Sequence, residues 1–180
     1  MAKKDQPFPP AGCRRKPDPM QEHRQWLARA MALAQASPEK GGSPHPSVKV
    51  GAILVGADGK EIAQASNGFA HGIDRRRPER YENHVRSLWI NCAEQMVLAK
   101  ALRNRADLRG ARLYITLEPC AVCAGLLAEC GIKQVIVPMS SRRSYARLKA
   151  KWKKSIEIGV SKMIEAGVQV VTVDMNDTKG

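Results

Sequence analysis

The sequence predicts an α/β fold in which helices cover both faces of a mixed β-sheet. From residue 92 onward, helical and strand-like segments alternate, as they do when parallel strands are joined by crossover helices. Before them, two strand-like segments flank Asp58-Gly59, which predicts an antiparallel hairpin. Short, almost continuously apolar strands such as 135–137 are typical of a sheet that is buried on both sides.

The first half of the chain begins with a Pro-rich, basic tail at residues 1–17 that has no apolar period. Asp18 and Pro19 then read as the cap and the first position of a helix that runs to about Ala36. Two strands are expected at 48–55 and 61–66. A long polar insert, 69–91, follows, and inserts of this length are usually functional or mobile.

The second half supplies the alternating elements. The pattern predicts helices at 92–103, at 119–130 and at 145–166, and strands at 112–116, 134–137 and 168–173. We therefore expect one domain at residues 18–175, with a short C-terminal tail at 176–180. No segment approaches the roughly 20 apolar residues of a membrane helix. No apolar stretch follows the charged N-terminus, so we expect no signal peptide, no membrane association and a cytoplasmic location.

The charge balance indicates an anionic partner. The 30 basic residues exceed the 17 acidic ones, and the formal net charge is +13. Such an excess attracts phosphorylated metabolites, nucleic acid or acidic surfaces without choosing among them. Residues 142–154 carry seven basic side chains and no acid, a run that more often forms a solvated helix face than a nucleic-acid surface.

Three of the five cysteines suggest a metal site. An odd cysteine count without a secretory signal argues against a disulfide framework. Cys92 and the pair Cys120 and Cys123 each stand at the start of a predicted helix, where the positive end of the helix dipole favours thiolate. Three protein ligands leave the fourth tetrahedral position of zinc to water, whose pKa falls to about 7. Glu94 could then accept and deliver the proton.

Other interpretations of these residues stay open. A redox Cys-x-x-Cys would give Cys92 and Glu94 no role, and buried inert thiols are a further possibility. A structural four-cysteine zinc needs Cys13 or Cys130. Cys130 lies two helical turns past Cys123, about 10 Å away, whereas Cys13 stays possible. Residues two apart on a helix do not share a face, so Cys92 has to project past the helix start.

Two stretches resemble the cytidine and deoxycytidylate deaminase superfamily, whose signature is His-x-Glu or Cys-x-Glu followed by Pro-Cys-x-x-Cys. They are Cys92-Ala93-Glu94 and Pro119-Cys120-Ala121-Val122-Cys123, and the likeness extends from about residue 21 to 173. The resemblance implies a three-layer α/β/α sandwich with a five-stranded mixed sheet, a Zn²⁺ cofactor and a homo-oligomer. It further implies hydrolytic deamination of a cytosine nucleotide, first of all dCMP to dUMP and ammonia.

The resemblance also assigns roles to residues. Cys92, Cys120 and Cys123 would hold zinc and Glu94 would move protons. Asn67 would bind the sugar or the ring, although ordinary Asn-Gly turn chemistry is an equal alternative. Ala93 would offer its backbone N–H to the base. Independently of the resemblance, Arg80 and its neighbours Arg75, Arg76 and Arg77 are candidates for phosphate contact because guanidinium pairs well with phosphate oxygens, although most of them could simply form a solvated charge run.

The chain departs from deoxycytidylate deaminases at several positions. Cys92 stands where those enzymes usually have His, and Ala65-Ser66 replaces the Gly-Tyr often found where they bind a regulatory nucleotide. Two alternative functions therefore stay open. One is deamination of another amino-heterocycle: a free base, a nucleoside, a modified pyrimidine, a guanine-like ring or a nucleic-acid base. The other is a non-catalytic, zinc-stabilised nucleic-acid-binding module, for which Glu94 would have no use.

Overall fold

A computed structural model describes residues 19–82, 85–141 and 148–176, and it confirms the predicted fold class. The helices are α1 (Pro19–Gln35), α2 (Arg86–Trp89), α3 (Ala93–Arg103), α4 (Ala121–Glu129) and α5 (Ala150–Glu165). The strands are β1 (Gly51–Val55), β2 (Glu61–Ser66), β3 (Gly68–Phe69), β4 (Ile90–Asn91), β5 (Arg112–Ile115), β6 (Gln134–Pro138) and β7 (Gln169–Val173).

The main sheet has five strands in the order β2-β1-β5-β6-β7. Strand β1 is antiparallel to both β2 and β5, and β5, β6 and β7 run parallel to one another. The hairpin between β1 and β2 turns at Gly59, whose φ of +81° is favourable for glycine. The sheet is therefore mixed, as the sequence predicts.

Helices cover both faces of this sheet. On one face α1 buries Leu27 and Ala30 against Ile53, Tyr114 and Ile136. On the other face lies the larger core, to which α3, α4 and α5 contribute. Its members include Val97, Leu98, Leu127 and Met163, packed on Leu54, Leu113, Ile115 and Val135. The three helices that carry or contact the cysteine motifs therefore share one layer.

Strand β1 begins at Gly51, three residues later than predicted, because the side chain of Asn67 makes hydrogen bonds with the preceding backbone that a neighbouring strand would otherwise make. Asn67, just after β2, is 6% exposed. Its Oδ1 accepts the N–H of Val50 at 2.8 Å, and its Nδ2 donates to the carbonyl of Val48 at 2.9 Å. The N–H of Val50 and the carbonyl of Val48 are thus bound by an amide side chain, while the carbonyl of Val50 accepts the backbone N–H of Asn67.

The polar insert is more ordered than the sequence predicts. Within the described residues it contains a short strand pair, β3 with β4, a 3₁₀ turn at Pro78–Tyr81 and the single-turn helix α2. Phe69 packs edge-on against Tyr81, with ring centroids 5.4 Å apart. This packing holds the middle of the insert against β3, which pairs with β4, the strand that leads to Cys92.

Parts of the predicted organisation lie outside the described residues: the tail at 1–17, nearly all of the tail at 176–180, and positions 142–147 of the basic run. The helix predicted from 145 begins at Ala150 in the described part. Among the described residues, none of the helices has the length and apolar character to cross a membrane.

Candidate metal centre and active site

Three thiols converge at the ends of two helices. Cys92 is the N-cap of α3, Cys120 is the N-cap of α4, and Cys123 lies in the first turn of α4. The three sulfur atoms all lie within 4.8 Å of one another. Cys123 is fully buried, whereas Cys92 and Cys120 are partly exposed. The structure therefore brings together the three sulfurs that the sequence predicts.

The position of Cys92 meets the geometric condition set by its spacing to Glu94. Cys92 has extended backbone angles, φ −64° and ψ 152°, so it stands outside the helical path of α3. Its N–H donates to Oε1 of Gln95 at 3.0 Å, which closes the start of the helix. A cap residue is not bound by the helical spacing rule, and Cys92 and Glu94 can therefore approach the same place.

Glu94 lies beside the thiols in the interior. Its side chain is 5% exposed, and the Cys123 thiol is one of its hydrogen-bond partners. Burial raises the pKa of the Glu94 carboxyl to about 7, while a hydrogen bond from its own N–H opposes that shift. A carboxyl with a pKa near neutrality can accept a proton and return it at physiological pH.

The three thiols are so close together that each changes the pKa of the others. Hydrogen bonds from the Cys123 and Cys92 thiols lower the pKa of Cys120 to about 2. The same contacts raise the pKa values of Cys92 and Cys123, because a second and a third thiolate would have to form next to the first. One divalent cation removes this repulsion.

The donor set fits zinc. Thiolates at two helix N-termini are typical Zn²⁺ ligands, and three of them leave one tetrahedral position open. Cys130 is not part of the cluster in the described residues, and Cys13 lies outside them. The site thus has the ligand number of a catalytic centre as far as the structure describes it.

Two of the predicted substrate residues, Ala93 and Asn67, differ in how their polar groups are bound in the structure. Ala93 is fully buried at the first helical position, where the N–H groups of a helix have no intrahelical acceptor. Asn67 uses both ends of its amide on Val48 and Val50, which are distant in the chain, so these bonds are not those of an Asn-Gly turn. It also lines a cavity of about 570 Å³ with Phe69 and Met96.

Arg80 differs from its three neighbours in the insert. Arg75, Arg76 and Arg77 each pair with a carboxylate, of Glu39, Asp74 or Glu79. Arg80 instead donates to the carbonyl of Asp74 and stacks over Trp89, with 4.4 Å between its guanidinium carbon and the ring centroid. Among the described residues it has no carboxylate partner.

Sequence reasoning missed several residues that support the site. Ser155 and Gly159 of α5 contact the Cys120 turn, and Ser141, 1% exposed, both donates to and accepts from Glu118. The only available signal was Gly159, a glycine inside a helical pattern, which often marks close packing. No local pattern predicts the two serines, because their partners are distant in the chain.

Comparisons with known proteins agree with this geometry. Residues 24–139 match the family described as the cytidine and deoxycytidylate deaminase zinc-binding region. The deoxycytidylate deaminases of Mus musculus and Homo sapiens are 32% and 30% identical over 118 residues, 64% of this chain and 65% of each relative. The chain thus spans just under two thirds of the length of these curated relatives.

Solved structures show the same fold. A dCMP deaminase from the cyanophage S-TIM5, in complex with dCMP and dUMP, aligns with a TM-score of 0.63 at 22% identity, over 88% of this chain and 98% of that chain. The Thermotoga maritima diaminohydroxyphosphoribosylaminopyrimidine deaminase/reductase aligns with a TM-score of 0.56 at 27% identity, over 85% and 36%. Because the matched region covers more than half of the chain and contains both cysteine motifs, the protein belongs to the cytidine and deoxycytidylate deaminase family, whose zinc-binding region it carries.

Proposed function

We propose that this protein is a zinc-dependent hydrolytic deaminase of a cytosine nucleotide, most simply of dCMP, which it would convert to dUMP and ammonia. The observation that carries the proposal is the buried Glu94 carboxyl beside three converging thiols. A zinc ion that only stabilises a fold needs no such acid. The names of the related deoxycytidylate deaminases support the choice of dCMP.

In this proposal Cys92, Cys120 and Cys123 hold the ion. When bound, zinc would supply Lewis-acid chemistry that makes a water molecule nucleophilic near neutral pH. Glu94 would take one proton of the water as its oxygen bonds to C4, and would deliver that proton to N3 of the ring. It would then pass the remaining hydroxyl proton to the amine, so that the C4–N bond breaks and ammonia leaves. One water is consumed and one ammonia leaves, so the pyrimidine changes from cytosine to uracil.

Substrate contacts follow from the surroundings of the centre. The N–H of Ala93, at the start of α3, is suited to bind the base. Arg80 is the candidate for the 5′-phosphate because the described residues provide it with no carboxylate. Its stacking partner Trp89 stands three residues before Cys92. The Arg80 guanidinium therefore packs against the segment that leads to the first thiol, which supports this choice.

The chemical role of Glu94 can be tested with Glu94→Gln. We expect kcat for dCMP to fall by roughly 10²–10⁴-fold, the usual contribution of a general acid–base, while the bound zinc stays the same. Ammonia release and metal content by mass spectrometry measure the two. Glu129→Gln, at an exposed position of α4, is the matched control and should behave as the parent. A Glu94→Gln protein that deaminates as fast as the parent would disprove the mechanism.

The phosphate contact can be tested with Arg80→Ala on dCMP and deoxycytidine. We expect KM for dCMP to rise about 10-fold or more, because a charge-assisted bond to phosphate is lost. Turnover of deoxycytidine, which lacks the phosphate, should not change. Arg77→Ala is the control in the same insert, since Arg77 already pairs with acids. Equal loss on both substrates would contradict a phosphate role.

A second candidate is deamination of another amino-heterocycle. The likeness to the Thermotoga maritima enzyme favours it, because that protein is named as a deaminase of a substituted aminopyrimidine. An ammonia-release screen over cytosine nucleotides, nucleosides, free bases, modified pyrimidines and guanine separates the candidates. Nucleic-acid binding without ammonia release from any of them would favour the non-catalytic alternative.

The cellular location and the oligomeric state of the enzyme are also part of the proposal. The three free thiols can bind metal only while they are reduced, which supports a cytoplasmic location. A homo-oligomer is expected from the family resemblance and stays a prediction. Light scattering coupled to size-exclusion chromatography measures it directly.

A further inference from the structure

We propose that α5 positions the second half of the metal site, and that Ser155 acts as a positioning residue for Cys120. The inference rests on the proposed ligation of zinc by Cys92, Cys120 and Cys123. It concerns a helix that contains none of the ligands and begins 27 residues after Cys123.

Ser155 caps α4 from another helix. The N-cap position of a helix is usually Ser, Thr, Asp or Asn, whose side chain binds a free N–H of the first turn. In α4 this position is Cys120, whose sulfur faces the N–H groups of Val122 and Cys123. The N–H of Ala121, next in the chain, donates instead to Oγ of Ser155 at 3.2 Å. A hydroxyl on α5 thus binds an N–H at the very start of α4, directly beside Cys120.

Gly159 allows this approach. It lies one helical turn after Ser155 and is buried. A Cβ at this position would stand 2.4 Å from the carbonyl oxygen of Pro119 and 3.0 Å from the carbonyl carbon of Cys120. Helix α5 therefore packs with its backbone directly on the turn that carries the ligand.

Lys162 adds a third contact on the same stripe of α5. Its Nζ donates to the carbonyl of Ala121 at 3.3 Å. Side chains of α5 therefore bind both the N–H and the carbonyl of Ala121. Cys92, by contrast, is positioned within its own helix by Gln95. Among the described residues, the hydrogen bonds from α5 thus reach the Cys120 half of the site, whereas Cys92 is bound by a residue of α3.

The inference is tested with Ser155→Ala in the full chain, with Ser161→Ala as the matched control. Ser161 is on the same helix, but its hydroxyl binds exposed Glu165. Zinc release to a chromophoric chelator and the visible spectrum of the cobalt(II)-substituted protein are the readouts. We expect zinc release about 10-fold faster or more, as for other residues that orient metal ligands. The thiolate–cobalt bands should shift.

Ser155→Thr keeps the hydroxyl and should restore the parent spectrum. Lys162→Met, at an exposed site where misfolding is not expected, should shift the bands in the same direction by less. Unchanged bands and release rates in both Ser155→Ala and Lys162→Met would overturn the positioning role while leaving the ligand set intact. A parent protein without thiolate–cobalt bands would contradict the ligand set itself, and this inference with it.

Discussion

At the scale of single residues, the decisive feature is that two of the three proposed ligands, Cys92 and Cys120, occupy helix caps. Cys92 and Glu94 are two apart, a spacing that on a continuous helix would direct their side chains apart. Because Cys92 is extended and Glu94 is helical, both reach the same centre. The sequence could predict the ligands from residue type and spacing. It could state the cap geometry only as a condition, since the backbone angle of one residue is not encoded in the motif.

His45 is a second residue whose role depends on its local bonds. Its Nδ1 accepts the N–H groups of Ser47 at 3.1 Å and Val48 at 2.8 Å, so this nitrogen must stay unprotonated. Burial, with the charge of Arg86, lowers the pKa of His45 from 6.5 to about 4. Between these two values the unfolded chain binds a proton that the folded chain does not.

We therefore expect stability to fall as the pH drops from 6.5 to 4, because the unfolded state gains the proton first. After allowance for partial exposure, the loss is on the order of 1–2 kcal/mol. Urea unfolding at several pH values measures it. In His45→Asn, Oδ1 can accept the same N–H groups without titrating, so the difference in stability between parent and variant should change over this interval. A constant difference would contradict the assignment.

At the scale of elements, the sequence predicted the order and type of the helices and strands that form the main sheet and its two covering layers, but not α2, β3 and β4 of the insert. The predicted helices are buried on one face and most of the strands are short apolar runs, and both patterns can be read from the sequence alone. The strand at 61–66 agrees residue for residue. The errors have identifiable causes. Strand β1 starts at Gly51 because Asn67 binds the preceding backbone, and α4 starts at Ala121 because Cys120 is its cap. A contact such as that of Asn67 joins residues that are distant in the chain, and the local pattern of apolar residues carries no information about it.

Helix α5 provides a test of close packing between elements. In Gly159→Ala the new methyl group would overlap the carbonyl oxygen of Pro119, 2.4 Å away. We expect α5 to shift and the protein to lose about 1–3 kcal/mol, the usual cost of overpacking. Thermal unfolding measures this loss.

The matched control is Gly125→Ala in α4. A methyl group there would meet only the flexible end of Lys162, at 3.7 Å. Helix propensity alone should then stabilise this variant by up to about 1 kcal/mol. Equal melting temperatures for the two variants would mean that α5 tolerates displacement from the Cys120 turn.

At the scale of the whole molecule, the metal site joins two helices that the chain connects only through β5. Helices α3 and α4 pack on the same face of the sheet and share its apolar core, but their thiols repel one another as anions. Both apolar cores consist of side chains other than the three proposed ligands. Bound zinc should therefore add stability to a domain that is already folded.

This leads to a prediction for metal removal. A ligand that binds only the folded state at 1,000 times its Kd contributes about 4 kcal/mol. For a chain of this size, such a contribution corresponds to a rise in Tm of about 10 °C. Treatment with a strong chelator should lower Tm by this amount, while the far-UV circular dichroism keeps its native shape. In Cys120→Ser, which lacks one ligand, the chelator should have little effect. Collapse of the circular dichroism on chelation would instead mean that the ion, and not the two apolar cores, organises the layer of α3 and α4.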